Sequence, residues 1–285
     1  MTKFSDYKED GANWITLASG EFYPDILVDA CNLYHPVLEL YSQLLKKSES
    51  SERLFMQISD TKQPWMRIQL CRIFRKYVSP NTPVEMLKKK TKAKWICENF
   101  GKEFRPIVEV QKAFLSRPMP DEALCALLWE YKSRGQKGYD LTERMFELLR
   151  SKFPDLDISG PERAGRDIRL GDVFEDYTKP DRPVDFIIKE GDDILAVGFA
   201  RYDGDRGGAQ EDDRTGGYSN ASKEVLDYAL GKDLRTKIIF VNDGPGLLLG
   251  SMWNDYSYIE DHSDDILVVT LRMIMDRLTY EWLKS

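Results

Sequence analysis

Residues 183–202 read PVDFIIKEGDDILAVGFARY. Two runs rich in β-branched and aromatic residues, "VDFIIKE" and "ILAVGFARY", flank a "GDD" turn, which predicts a β-hairpin. Asp185 heads its first strand, two residues after Pro183 and with apolar residues behind it. Downstream the pattern continues as a helix ("SNASKEVLDYALG", with Ser219 or Asn220 as cap and Gly231 as stop) and a short buried strand ("TKIIFVND"). A helix within "GLLLGSMWNDYSYIED", a strand "DILVVTL" and a closing helix "RMIMDRLTYEWLKS" follow.

Upstream of the hairpin the periodicity is helical. In "ILVDACNLYHPVLELYSQLLKK" the apolar positions Ala30, Leu33, Tyr34, Val37, Leu38 and Tyr41 recur at three- and four-residue steps, with Pro36 as a place to kink or divide the helix. "SSERLFMQISD" and "PWMRIQLCRIFRKYV" continue the period, the second opening on Pro64 in the first turn. "TPVEML" carries a Thr-x-x-Glu capping box at Thr82 and Glu85, so a capped helix after the "SPN" turn gives helix-turn-helix spacing. Asp140 is a cap candidate for a helix after "SRGQKG". The order, helices then β-β-α-β-α-β-α, predicts an α/β (α+β) chain with a mixed sheet flanked by helices. The boundary falls near residue 120, giving a helical part (1–120) and an α/β domain (121–285).

At 285 residues with 12% aromatic content the chain is long enough for two cores, and no apolar run approaches the roughly 20 residues of a membrane span. "MTKFSDYKEDGANW" lacks the apolar centre of a signal peptide, so the cytoplasm is the expected location. Cys31, Cys71, Cys97 and Cys125 form no CxxC pair and only His35 and His262 accompany them, which argues against zinc and for free thiols. Net charge is −7, yet Lys62–Lys94 holds ten Lys/Arg against one acid, Glu85. One basic region in an acidic chain suits a focused polyanion contact.

A second polar stretch, "ARYDGDRGGAQEDDRTGGYSN" (200–220), follows the hairpin. Its glycines permit close approach to a sugar-phosphate backbone, and its arginines suit phosphate or guanine edges. "DGPGLLLGSMW" comes near a dinucleotide fingerprint, but Pro245 and its late place in the chain favour a tight strand-to-helix turn. GxSxG, GxxxxGK[ST] and HExxH are absent.

With the hairpin, the following helix and two further strands in place, "AGRDIRLGDVF…DRPVDFII…ILAVGFARYDGDRGGAQEDDRTGGY" resembles the type II restriction endonucleases of the PD-(D/E)xK superfamily. The resemblance implies a restriction-endonuclease-like fold and Mg2+-dependent hydrolysis of double-stranded DNA at a defined sequence. Carboxylates hold hard cations that polarise the phosphoryl oxygen, and a neighbouring cation offsets developing charge. Asp185 matches the first acid of the pattern. The acid-x-Lys triplet has no match, since its slot holds Gly198 and Ala200, or Phe199 and Arg201. Arg201 then stands for the lysine, with Lys223 as another donor, and the second carboxylate comes from Asp203 or from Glu211. Alternatively the hairpin has lost its site and only binds. Asp185, Arg201, Asp203 and Glu211 are thus the catalytic candidates, with Asp185, Asp203 and Glu211 as metal ligands; for Glu162 a salt bridge with Arg163 or Arg166 is favoured over a role as an upstream carboxylate.

For DNA contact the candidates are Arg67, Arg72, Arg75, Lys88, Lys89, Lys90, Lys92 and Lys94 in the helical part, with Arg206 and Arg214 after the hairpin. Val84, Leu87 and Trp95 are the expected buried anchors, and Arg67, Gln69, Arg72 or Asn99 the base readers. The resemblance further implies a cognate DNA methyltransferase as genetic partner and, for a palindromic target, a two-fold homodimer.

Overall fold

The structure, a computed structural model, describes residues 2–133, 136–161, 167–204 and 209–285, with the backbone alone at 133, 136, 137, 139 and 209–214. It divides into two compact units, residues 20–133 and residues 1–19 with 134–285. Among the described residues no helix is long and apolar enough to cross a membrane.

The helical unit contains α1 (Ile26–Lys47), α2 (Ser51–Ser59), α3 (Pro64–Tyr77), α4 (Ala93–Phe100), α5 (Ile107–Leu115) and α6 (Glu122–Ser133). In α1 the predicted stripe is buried, from Ala30 through Tyr34, Val37, Leu38 and Tyr41 to Leu45, and Pro36 does not divide it. The unit runs past the expected boundary at 120 because Leu124, Cys125, Leu128 and Trp129 of α6 share its core. The Tyr34 hydroxyl also donates to Leu128 O at 3.0 Å. All four cysteines are free.

The predicted helix-turn-helix does not form as such. After α3 come a single turn (Val84–Leu87), a 3-10 turn (Lys90–Lys92) and then α4. Leu87 and Ala93 are both buried. Six residues span about 600° of helical rotation, so one continuous helix cannot turn both toward the same core. Thr82 does not cap either. It is buried, its hydroxyl 2.6 Å from that of Ser79, and Pro83 occupies the cap position. Trp95, expected as an anchor, is exposed.

The α/β unit is built on a five-stranded sheet of order β1-β4-β5-β6-β7, from β1 (Asp157–Ser159), β4 (Phe186–Glu190), β5 (Asp193–Tyr202), β6 (Lys237–Asp243) and β7 (Ile266–Val269). The β1–β4 and β4–β5 pairs are antiparallel, whereas β5–β6 and β6–β7 are parallel. The sheet is therefore mixed, as the sequence predicts. Gly191, with φ +61°, makes the tight turn of the β4–β5 hairpin. A separate ladder joins β2 (Ile168–Arg169) to β3 (Pro183–Val184).

Three helices serve this sheet: α7 (Gln136–Lys152) before it, α8 (Ala209–Gly231) between β5 and β6, and α9 (Met252–Asp261) between β6 and β7. Asp140 lies inside α7 rather than at its cap. Helix α8 starts about ten residues earlier than expected, absorbing much of the supposed loop with Gly216 and Gly217. Tyr218, Ala221 and Val225 bind it to the sheet core at helical spacing, and this packing outweighs glycine's low propensity. The closing helix is two short ones, Ile274–Arg277 and Tyr280–Lys284, separated by extended Leu278.

Residues 1–19 belong to this unit because Phe4 and Ile15 lie in its core. A buried ion pair holds them there. Arg277 Nη2 donates to Glu260 Oε1 and Oε2 at 2.9 and 3.0 Å and to Thr2 O at 2.8 Å, while Nη1 reaches Val268 O. Glu260 in turn accepts from Phe4 N (2.6 Å) and Val268 N (2.8 Å). Removing one partner strands the other charge, so Arg277→Ala should cost about 3–5 kcal/mol. Urea denaturation should show this as a fall in midpoint at unchanged m-value.

Candidate active site

The hairpin places Asp185 between β3 and β4. Its N–H donates to Gly198 O (2.9 Å), and its carboxylate Oδ2 accepts from Ala200 N (2.8 Å). Gly160 lies so close that a Cβ there would stand 2.4 Å from Asp185 O, which excludes a side chain. The carboxylate is half-buried. Burial pushes its pKa up, the Ala200 N–H opposes, and the charge of Asp167 adds to the rise.

On β5, alternation sends Phe199 and Arg201 to one face, where Phe199 packs on Tyr218 of α8 with ring centroids 5.3 Å apart. Arg201 Nε donates to Asp203 Oδ1 at 2.5 Å. Burial would lower the Arg201 pKa, but this bond and the charge of Asp203 outweigh it and the net shift is upward. Tyr218 is pushed up by burial and by Asp185 and Asp203, against the pull of Arg201, whose guanidinium bonds its phenol. Asp185, Arg201, Asp203 and Tyr218 thus form one electrostatic cluster under α8.

Asp203 is only 3% exposed. The turn after β6 roofs it: Gly246 N donates to Asp203 O (2.8 Å), and a Cβ on Gly244 would stand 2.4 Å from that oxygen. This close approach, with Gly244 at φ +110°, accounts for the glycines of "DGPG" as a strand-to-turn device. Asp203 Oδ2 and both amide atoms of Asn242, which pairs with Arg201 across β5–β6, are buried without a hydrogen-bond partner among the described residues. Asp203 is therefore placed to position Arg201 rather than to hold a solvent-accessible ion.

The slot expected for acid-x-Lys is filled by packing. A Cβ on Gly198 would meet the Phe186 ring at 2.0 Å, and Phe199 stacks on Phe240. Lys223 is exposed, five residues beyond Tyr218 and so on another side of α8. Glu211 and Arg214 fall in the first turns of α8, but their side chains lie outside the described residues, as do Arg206 and Glu162 altogether. Among the described residues no three His, Cys, Asp or Glu side chains assemble as a metal cluster. Asp167, Tyr218 and Asn242 join the neighbourhood without having been singled out by sequence. Asp167 sits in the quoted "GRDIR" run, and the other two gave no local signal.

In the helical unit the basic residues separate into two kinds. Arg67 donates to Thr61 O (3.1 Å), Arg72 to Gln69 Oε1 (2.9 Å) while stacking 4.7 Å from the Tyr131 ring, and Arg75 to Pro80 O (3.3 Å). These arginines brace their own unit. Gln69 is buried, which removes it as a base reader, and Asn99 donates to Trp95 O. The lysines face water: Lys89, Lys90, Lys92 and Lys94 are exposed, Lys88 pairs with Glu85, and Lys92 stands 5.7 Å from the Trp95 ring centre.

Because the folded state holds Asp185 with a raised pKa, its charge destabilises the fold above that pKa and costs nothing below the unfolded value. Asp185→Asn should therefore raise the melting temperature at neutral pH. The gain should shrink as pH falls through the carboxylate range, as followed by thermal denaturation across pH. No protein-family model matches this chain, and neither curated proteins nor solved structures provide a match.

Proposed function

We propose that the protein is a Mg2+-dependent, sequence-specific endonuclease of double-stranded DNA, of the restriction-endonuclease type. The chemistry belongs to the α/β unit, and the lysine-bearing helical unit contributes phosphate contacts. The β4–β5 hairpin followed by α8, β6 and β7 supports this reading. The observation that carries it is Asp185 at the head of β4, its half-buried carboxylate in the same cluster as Arg201.

Asp185 and Asp167 suit Mg2+, which takes one or two carboxylates together with substrate phosphate. When bound, the ion polarises a phosphoryl oxygen and lowers the pKa of the attacking water. Arg201, fixed by Asp203, presents a positive charge that needs no reorganisation as negative charge develops. Tyr218, its pKa raised, keeps its proton at neutral pH and stays available as a donor. Glu211 remains the candidate for a further ligand. A two-fold homodimer suits a palindromic target, a DNA methyltransferase is the expected genetic partner, and the cytoplasm is the expected location.

A second reading, sequence-specific DNA binding on the same scaffold without catalysis, is favoured by one observation: side-chain packing fills the acid-x-Lys slot. Incubating phage DNA with the protein and Mg2+ separates the two. The nuclease reading expects discrete fragments, abolished in Asp185→Ala and slowed about 100- to 1,000-fold in Arg201→Ala. Intact DNA that is nevertheless bound supports the second reading.

A further inference from the structure

The helical unit contains a cavity of about 260 Å³, close to the roughly 300 Å³ at which small-molecule sites begin. Pro83, Met86 and Phe100 give it apolar walls, and Asn81 and Glu103 stand at its polar side. Its position in the chain is informative. Pro83 and Met86 precede the lysine run and Phe100 ends the helix in which the run finishes, so the segment carrying Lys88, Lys89, Lys90, Lys92 and Lys94 lies between residues of the cavity wall. Phe100 also contacts exposed Trp95 edge-on, with centroids 5.6 Å apart. Asn81 and Glu103 are exposed, and neither side chain has a hydrogen-bond or ion-pair partner among the described residues.

Apolar walls with one aromatic ring, two unengaged hydrogen-bonding groups and a lysine run in the chain segment between those walls match the three parts of a nucleotide: base face, base edge and phosphate. We propose that this cavity takes a single unpaired nucleobase of DNA whose edge bears an amino group, with cytosine as the preferred occupant. The base lies against Phe100 and Met86, while the Glu103 carboxylate accepts from the exocyclic amino group, the pairing a carboxylate makes with cytosine N4. Thymine presents a carbonyl oxygen at that position and is repelled. The lysines hold the flanking phosphates and contribute affinity without sequence preference. The inference rests on the reading of the protein as a DNA binder but not on cleavage.

The test uses the full-length protein and labelled duplexes that differ only in one unpaired nucleotide, C or T, or have none. Measured without Mg2+, the C-bulged duplex should bind about tenfold more tightly than the T-bulged one. Glu103→Gln should erase that ratio while leaving the fully paired duplex unaffected. Lys90→Ala and Lys92→Ala should each reduce the salt slope by about 1 and preserve the ratio. Equal binding of the C and T duplexes, or a ratio untouched by Glu103→Gln and Asn81→Ala, overturns the pocket while leaving the DNA-binding reading intact. A C-over-T ratio that Glu103→Gln abolishes, in a protein that never cuts DNA, supports the pocket and removes only the nuclease. No DNA binding at all overturns both.

Discussion

One buried carboxylate sets the geometry at the end of the sheet that carries Arg201 and Asp203. Asp243, wholly buried at the end of β6, accepts from Thr16 N (2.6 Å), Gly244 N (2.7 Å) and Leu271 N (3.0 Å). Burial raises its pKa against the pull of those donors, and no single segment could satisfy it alone. Three distant stretches of chain converge on it as a result. Its own carbonyl then accepts from Asp203 N (2.8 Å), which extends the β5–β6 ladder beyond Tyr202. The place of Asp203, and through it the direction of Arg201, follows from how Asp243 is satisfied.

Much of this architecture was legible in the sequence. The hairpin, β6, β7 and the helices flanking them announce themselves by period and turn chemistry, since each buries a face that local alternation already encodes. The illegible parts are those decided by distant packing. Helix α8 begins in a glycine- and acid-rich stretch because Tyr218, Ala221 and Val225, further along, commit its axis to the sheet. The helix expected after Thr82 breaks because the core claims Leu87 and Ala93 together. Residues 1–19 join the far end of the chain through Glu260 and Arg277, a link that no local signal carries.

The candidate site divides in the same way. Asp185 could be found from its strand and its proline, because a polar residue heading an apolar strand is conspicuous. Arg201 could be found only by asking what stands where a lysine was expected. Asp203 was expected beside Arg201 and is found there, but its burial under the Gly244–Gly246 turn is decided by distant packing and was not legible in the sequence. Charge patterning identified a real basic surface in the helical unit, although it could not separate lysines that meet solvent from arginines spent on Thr61, Gln69 and Pro80.

The α/β unit is discontinuous in the chain, with 114 residues of another unit between its first segment and the remainder. During synthesis the helical unit emerges complete, with mostly local contacts to make, while residues 1–19 have nothing to pair with. Their partners, Asp243, Glu260 and Arg277, are synthesised only after the whole helical unit. That segment, with Phe4 and Ile15 bare, must therefore stay uncommitted while the helical unit is made, and chaperone demand should concentrate on that interval rather than on either finished unit.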